Sequence, residues 1–213
     1  MVSWQRDPEA LIGSWTVYRQ VGRGYPPLWH VGSQRRPTRQ PSARWHDSDL
    51  GQFAQYFSFE TDGAWAELVR WEHIRTEDER LSYQHKLWQC WIEESGIANL
   101  ATFDLIEACG LDPRMFVDDD HASCRTLANE LMAHGYRGLI TPSAALGDVQ
   151  NLTVFGSRRE LVGRQHVGRN PRPDAYVVVS LAAEGPPPAH VVDTARLYGD
   201  PHLRLEAWLA NED

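Results

Sequence analysis

Cysteine is scarce in this chain: three occur in 213 residues, at 90, 109 and 124, and none forms a Cys-x-x-Cys pair. An odd number leaves one thiol over in any pairing scheme, so neither a disulfide framework nor a zinc knuckle is indicated. None of the nine histidines pairs at His-x-x-x-His spacing, and no metal is expected. No window reaches the length of a membrane span. The opening MVSWQRDPEALIGSW lacks an apolar h-region and carries acid early, which argues against a signal peptide. The expectation is a cytoplasmic protein with no membrane partner. Excess positive charge is missing too. A net charge of -8 argues against broad, direct nucleic-acid binding, and the Arg-rich stretches around 35–44 and 158–172 read first as solvated faces.

What is present is a core. Hydrophobic residues make up 42% of the chain, with nine Trp, enough for one sizeable domain plus an extension. The pattern is mixed α/β. SWTVYRQV (14–21) reads as an early strand. GQFAQYFSF (51–59) alternates, with Phe53, Phe57 and Phe59 on one face and Ala54, Tyr56 and Ser58 on the other. A helix through AWAELVRWEHI follows, with Asp62 as the expected N-cap. Within the ambiguous segment 76–103, LSYQHKLWQCWIE (81–93) fits a helix by length and a strand by aromatic content, with strand favoured over its second half. DLIEACG (104–110) reads as a short helical turn ended by Gly110, and Asp118 to Asp120 as acids opposing the dipole of the next helix. In that helix Cys124, Leu127, Ala128, Leu131 and Met132 share one face, and Gly135 stops it. Two short strands, 138–140 and 152–155, enclose the island Thr141-Pro142-Ser143. After Gly156 the composition changes to an Arg- and Pro-rich stretch, then a β-branched strand at 176–181 and a short helix, LRLEAWLA. The division expected is a domain over 1–156 and an extension over 157–213 packed on it.

Four residues stand out, each with a plain alternative. Arg44 reads equally as a solvated loop charge, Tyr56 as an ordinary strand aromatic and Glu67 as a helix-surface acid paired with Arg70. Ser143 sits in a loop leaving a strand end, a frequent place for functional residues, but also reads as a serine starting a turn after Pro142. Ser143 as an acyl-transfer nucleophile is disfavoured: it lies in no Gly-x-Ser-x-Gly elbow, and no Ser-x-x-Lys follows.

In order, these residues lie in Tyr18-Arg19, Arg44-Trp45, Tyr56-Phe57-Ser58, Ala66-Glu67, GYRGLITPS (135–143) and NLTVF (151–155). This succession resembles the RES-domain family, named for its Arg, Glu and Ser, over about the first 156 residues. The last two motifs are the most specific. The chain departs from the pattern in having His46 after Arg-Trp, a longer stretch between Glu67 and Asp104, and a tail after 156 with no counterpart.

The resemblance implies an ADP-ribosyltransferase-like fold: two packed β-sheets forming an NAD cleft, flanked by helices. It implies an enzyme that consumes NAD as substrate at the nicotinamide–ribose bond, by hydrolysis or by phosphorolysis with inorganic phosphate. It further implies a toxin held by an Xre-like helix-turn-helix antitoxin. The alternatives are ADP-ribose transfer to a protein, or an inactive interaction module on the same scaffold. Carried onto this chain, Glu67 would stabilise the oxocarbenium-like ribose. Arg44 would grip the pyrophosphate, and Tyr56 would offer a ring to a base or the nicotinamide. Ser143 would hydrogen-bond the ribose or carboxamide, with Asn151 and Arg19 joining the NAD-binding set.

Overall fold

The structure, a computed structural model, describes residues 4–25, 27–28, 42–156 and 177–211, with backbone alone at 177–179. The basic loop read at 33–44 lies outside these residues up to Pro41, as do Tyr176 and the Arg-rich stretch before it. In order come β1 (Ala10–Gly22), β2 (Ala54–Ser58), α1 (Thr61–Glu72), α2 (Glu77–Ser82), β3 (His85–Asn99), α3 (Phe103–Ala108), α4 (Arg114–Val117) and α5 (Ala122–Ala133). Then follow β4 (Gly138–Pro142), β5 (Gln150–Phe155), β6 (Val177–Gly185), α6 (Ala189–Thr194) and α7 (Leu203–Leu209). No helix among the described residues is long and apolar enough to cross a membrane.

The mixed α/β architecture expected from the sequence is present, and its two layers are halves of one six-stranded sheet, ordered β1-β2-β5-β4-β3-β6. The sheet curls until β1 also pairs with β3, from Ala10↔Ala98 to Gly22↔His85. On the other side β1 meets β2 at a single pair, Tyr18↔Ser58. Alternation explains what fills the ring: Val17, Phe57, Cys90, Ile92, Ile140, Leu152 and Val154 come from five strands and form one buried cluster. The opposite face of the strands, including Ala54, Ala98, Leu139 and Phe155, packs against Ile106, Leu127 and Leu131 of the helices. A third cluster joins α1 to Leu87, Val191 and Leu197, so the chain after 177 shares the core. β6 extends the sheet along His85–Ile92 of β3, where β4 does not reach.

Local sequence accounts for most boundaries. The face read on the 124–132 helix is the buried face of α5, and Gly135, at φ 87°, ends it. Thr76 and Glu79 form a reciprocal capping box that starts α2, which resolves the ambiguous 76–103 region into a short helix and a long strand. One expectation fails at α1. The cap is Glu60, in extended conformation and with no side-chain bond, and Asp62 is the second helical residue, where His190 Nε2 meets its carboxylate at 3.0 Å. Gly63, inside the first turn, packs closely on β2: a Cβ there would stand 2.2 Å from Ser58 Oγ.

Gly138 of the GYRGL motif has a similar cause. A Cβ at that position would fall 2.2 Å from the Thr153 carbonyl of β5 and 2.9 Å from Ile97. Gly138→Ala must push two paired strands apart, and we expect it to cost roughly 3 kcal/mol. The check is urea unfolding, with a lower midpoint and an unchanged slope.

Candidate active site

The single-pair junction between β1 and β2 opens into a cleft of about 380 Å³. β1 contributes Arg19, β2 Tyr56, α1 Glu67 and Arg70, and β5 Asn151, with Arg44, His121 and Tyr198 arriving from connecting segments. Five of the six residues singled out from the sequence therefore share one cleft; Ser143 lies directly behind it.

Glu67 stands half-buried between buried Ala66 and Leu68. Its Oε1 accepts from Ser143 Oγ at 2.9 Å and from Asn151 Nδ2 at 2.7 Å. Its second oxygen has no partner among the described residues. Ser143 is 1% exposed, and its Oγ accepts the N–H groups of Ala145 at 3.1 Å and Leu146 at 3.2 Å. With both lone pairs taken, the hydroxyl proton points to the carboxylate. Ser143 thus supports Glu67 from beneath, which gives the polar island a part in holding the carboxylate. Asn151 Oδ1 is buried and unpartnered among the described residues, although its amide lines the cleft.

The other predicted residues are also anchored. Arg44 Nη1 donates to the Phe116 carbonyl at 3.1 Å and, over a longer 3.9 Å, to Cys124 Sγ. The Tyr56 hydroxyl accepts the Trp45 N–H at 3.1 Å and lies 2.9 Å from His46 Nδ1. Burial pushes its ionisation well above the usual phenol range, so Tyr56 presents a ring and not a phenolate. His46, the departure after Arg-Trp, serves here to hold that hydroxyl. Arg19 Nη1 donates to Gln55 Oε1 at 2.7 Å and to the Tyr56 carbonyl at 3.4 Å, with Phe57 5.8 Å below it. Burial lowers its pKa to about 10, which leaves it charged at neutral pH.

Three cleft residues escaped the sequence reading of the site. Arg70 follows Glu67 by one helical step, a spacing that places them on one face. It pairs with Asp119 and not with Glu67, donates to the Leu197 carbonyl at 3.1 Å, and lies 4.1 Å over the Tyr198 ring. Tyr198 also stacks on His73, with centroids 5.2 Å apart. His121 has an unpartnered, buried Nε2 among the described residues. Burial, then Arg44, Arg125 and Arg70, lower its pKa to about 4 against a partial pull from Asp119, so the imidazole is neutral at pH 7. No sequence signal marks His121 or Tyr198. In a chain of net charge -8, the described residues of the cleft include three arginines and one carboxylate, a lining suited to a polyanionic ligand. Among the described residues no group of three or more His, Cys, Asp or Glu could hold a metal ion.

The family model of the RES domain matches residues 15–175, and this protein belongs to the RES-domain family. Its fold is similar to that of a chain in the crystal structure of the M. tuberculosis MbcT–MbcA toxin–antitoxin complex, with a TM-score of 0.61 and 19% identity. That match covers 86% of this chain and 90% of the other, and supports the ADP-ribosyltransferase-like fold. No curated protein matches the chain.

His121 generates a prediction about pH. Its folded pKa, about 4, lies below the ordinary 6.5, so on acidification the unfolded chain takes up the proton first. Stability should fall as pH drops from about 6.5 towards 4. His202 and His85, also lowered by burial, add in the same direction. Thermal midpoints across that window should fall less steeply in His121→Gln than in the parent.

Proposed function

We propose that this protein cleaves NAD at the bond between nicotinamide and ribose, with Glu67 as the group that stabilises the ribose as positive charge develops. The observation that carries this reading is the division of labour in the Glu67 carboxylate: Oε1 is held by Ser143 and Asn151, while the other oxygen has no protein partner among the described residues. A carboxylate fixed before reaction needs little reorganisation when the oxocarbenium-like ribose forms. The bond electrons leave with nicotinamide, and water or inorganic phosphate attacks the vacated carbon; with water, a proton is released. Arg44 and Arg19 provide planar donor groups for the pyrophosphate. The Tyr56 ring provides an apolar face for a base or the nicotinamide.

The toxin–antitoxin complex found among similar structures supports a second part of the proposal. The protein acts as a toxin, and a partner antitoxin of the Xre-like helix-turn-helix kind restrains it until needed. A NAD-consuming activity would require such control, because its substrate is common to all central metabolism.

The test is nicotinamide release from NAD by purified protein freed of any partner, with and without phosphate. Glu67→Gln, nearly isosteric, should lower turnover about a hundredfold, ~3 kcal/mol in barrier, with affinity little changed. Ser143→Ala should lower turnover less and stability by about 1–2 kcal/mol, since it strands two N–H groups as well as loosening Glu67. Arg44→Ala should raise KM at least as much as it lowers kcat. Absence of nicotinamide in both buffers, or an unimpaired Glu67→Gln variant, would sink the mechanism.

A further inference from the structure

The chain beyond the matched family region, which ends at 175, sends three donors into one turn beneath Glu67. The Arg196 backbone N–H donates to the Ala145 carbonyl at 2.8 Å, and its guanidinium to the Ala144 carbonyl at 3.3 Å. His202 Nε2 lies 3.0 Å from the Ser143 carbonyl. Three consecutive carbonyls are therefore held from the tail, while two N–H groups of the same turn hold the Ser143 hydroxyl. His202 is 7% exposed and engaged at both nitrogens, since Nδ1 accepts the Leu205 N–H and caps α7. That acceptor role at Nδ1 puts the single imidazole proton on Nε2, aimed at the Ser143 carbonyl. The edge of Phe103, 5.9 Å between centroids, closes one side of the ring.

We propose that His202 is a positioning residue for Glu67, acting through the Ser143 turn, so that the C-terminal segment completes the catalytic apparatus. This rests on the reading of Glu67 as the carboxylate facing the breaking bond. The connection is short and continuous. His202 fixes the Ser143 main chain, the Ser143 hydroxyl fixes Oε1, and the free carboxylate oxygen is thereby set. Arg196 stiffens the two residues that follow and ties the turn to the Val117 carbonyl at 3.0 Å. A carboxylate allowed to drift binds substrate nearly as well but stabilises the developing charge poorly, so loss of positioning should appear in kcat.

Two substitutions separate positioning from simple stabilisation. His202→Asn retains an acceptor for the Leu205 N–H, as a good helix cap, but is too short to reach the Ser143 carbonyl. His202→Gln restores a donor at that reach and gives up the cap. The expected result is about a tenfold fall in kcat for His202→Asn, with KM near the parent's and a lower thermal midpoint, because the buried Ser143 carbonyl loses its donor. His202→Gln should recover most of that kcat despite a lower midpoint. An unimpaired His202→Asn, or a His202→Gln as slow as His202→Asn, overturns the proposal. A second readout needs no NAD: the carboxyl ¹³C resonance of Glu67 at one fixed neutral pH, assigned through Glu67→Gln. That resonance should move in His202→Asn and return in His202→Gln; an unmoved resonance in His202→Asn overturns the proposal whatever the activity. A parent that releases no nicotinamide, combined with the moved resonance, removes the NAD reading alone.

Discussion

The hydrogen bonds that meet at Glu67 Oε1 tie together parts of the molecule that local structure would leave independent. Glu67 belongs to a helix, Ser143 to a turn and Asn151 to the first residues of a strand. A half-buried carboxylate is tolerated only when donors replace the water it has lost. Here the two donors arrive in place only if the strands are in register. Asn151 is paired with Ser58 on one side and Thr141 on the other, so one row across three strands sets where its amide emerges. A slip of one residue would turn that amide to the opposite face and leave the carboxylate with half its support. The sheet register and the electrostatics of the cleft are thus one constraint.

The charge pattern follows from the same arrangement. The arginines around the cleft are not free cations gathered on a surface. Arg19 is held by a glutamine and a main-chain carbonyl, Arg70 by an aspartate and two carbonyls, and Arg44 by one carbonyl and the Cys124 thiol. Mostly neutral acceptors orient them without cancelling their charge, so the cleft stays positive inside an acidic protein. The same field, with burial, keeps His121 unprotonated. A positive wall with one fixed carboxylate suits a ligand whose phosphates are anionic throughout and whose sugar becomes cationic during reaction.

Much of this was legible in the sequence where the signal was local. Alternation at 53–59 put Tyr56 on the face opposite Phe57, and the motif GYRGLITPS marked both the close approach at Gly138 and the turn at Ser143. Glu67 showed itself as the acid within an apolar helical run. What stayed hidden needed knowledge of which segments face each other. The role of Ser143 depends on α1 lying over the turn, which nothing near residue 143 reveals. Tyr198 and His202 sit in a tail whose composition says only that it is partly apolar. The start of α1 was misplaced because Asp62 looks like a cap, whereas Glu60 takes that position without any side-chain bond to announce it. Fold class is a sum of many weak local preferences, while a site is a coincidence of distant ones.

The uneven closure of the ring has a consequence for how a ligand can be accommodated at all. A fully zipped barrel spends its main-chain donors and acceptors on neighbouring strands and presents a sealed wall. Between β1 and β2 the zipper has one tooth, Tyr18 against Ser58, and the guanidinium of Arg19 reaches across to the Tyr56 carbonyl where further teeth would have been. The vacancy is already lined with polar groups and needs no breach of the apolar interior, because Val17 and Phe57 remain sealed on the inner side. A ligand entering this unfinished stretch of β-sheet would stand in for the missing strand contacts.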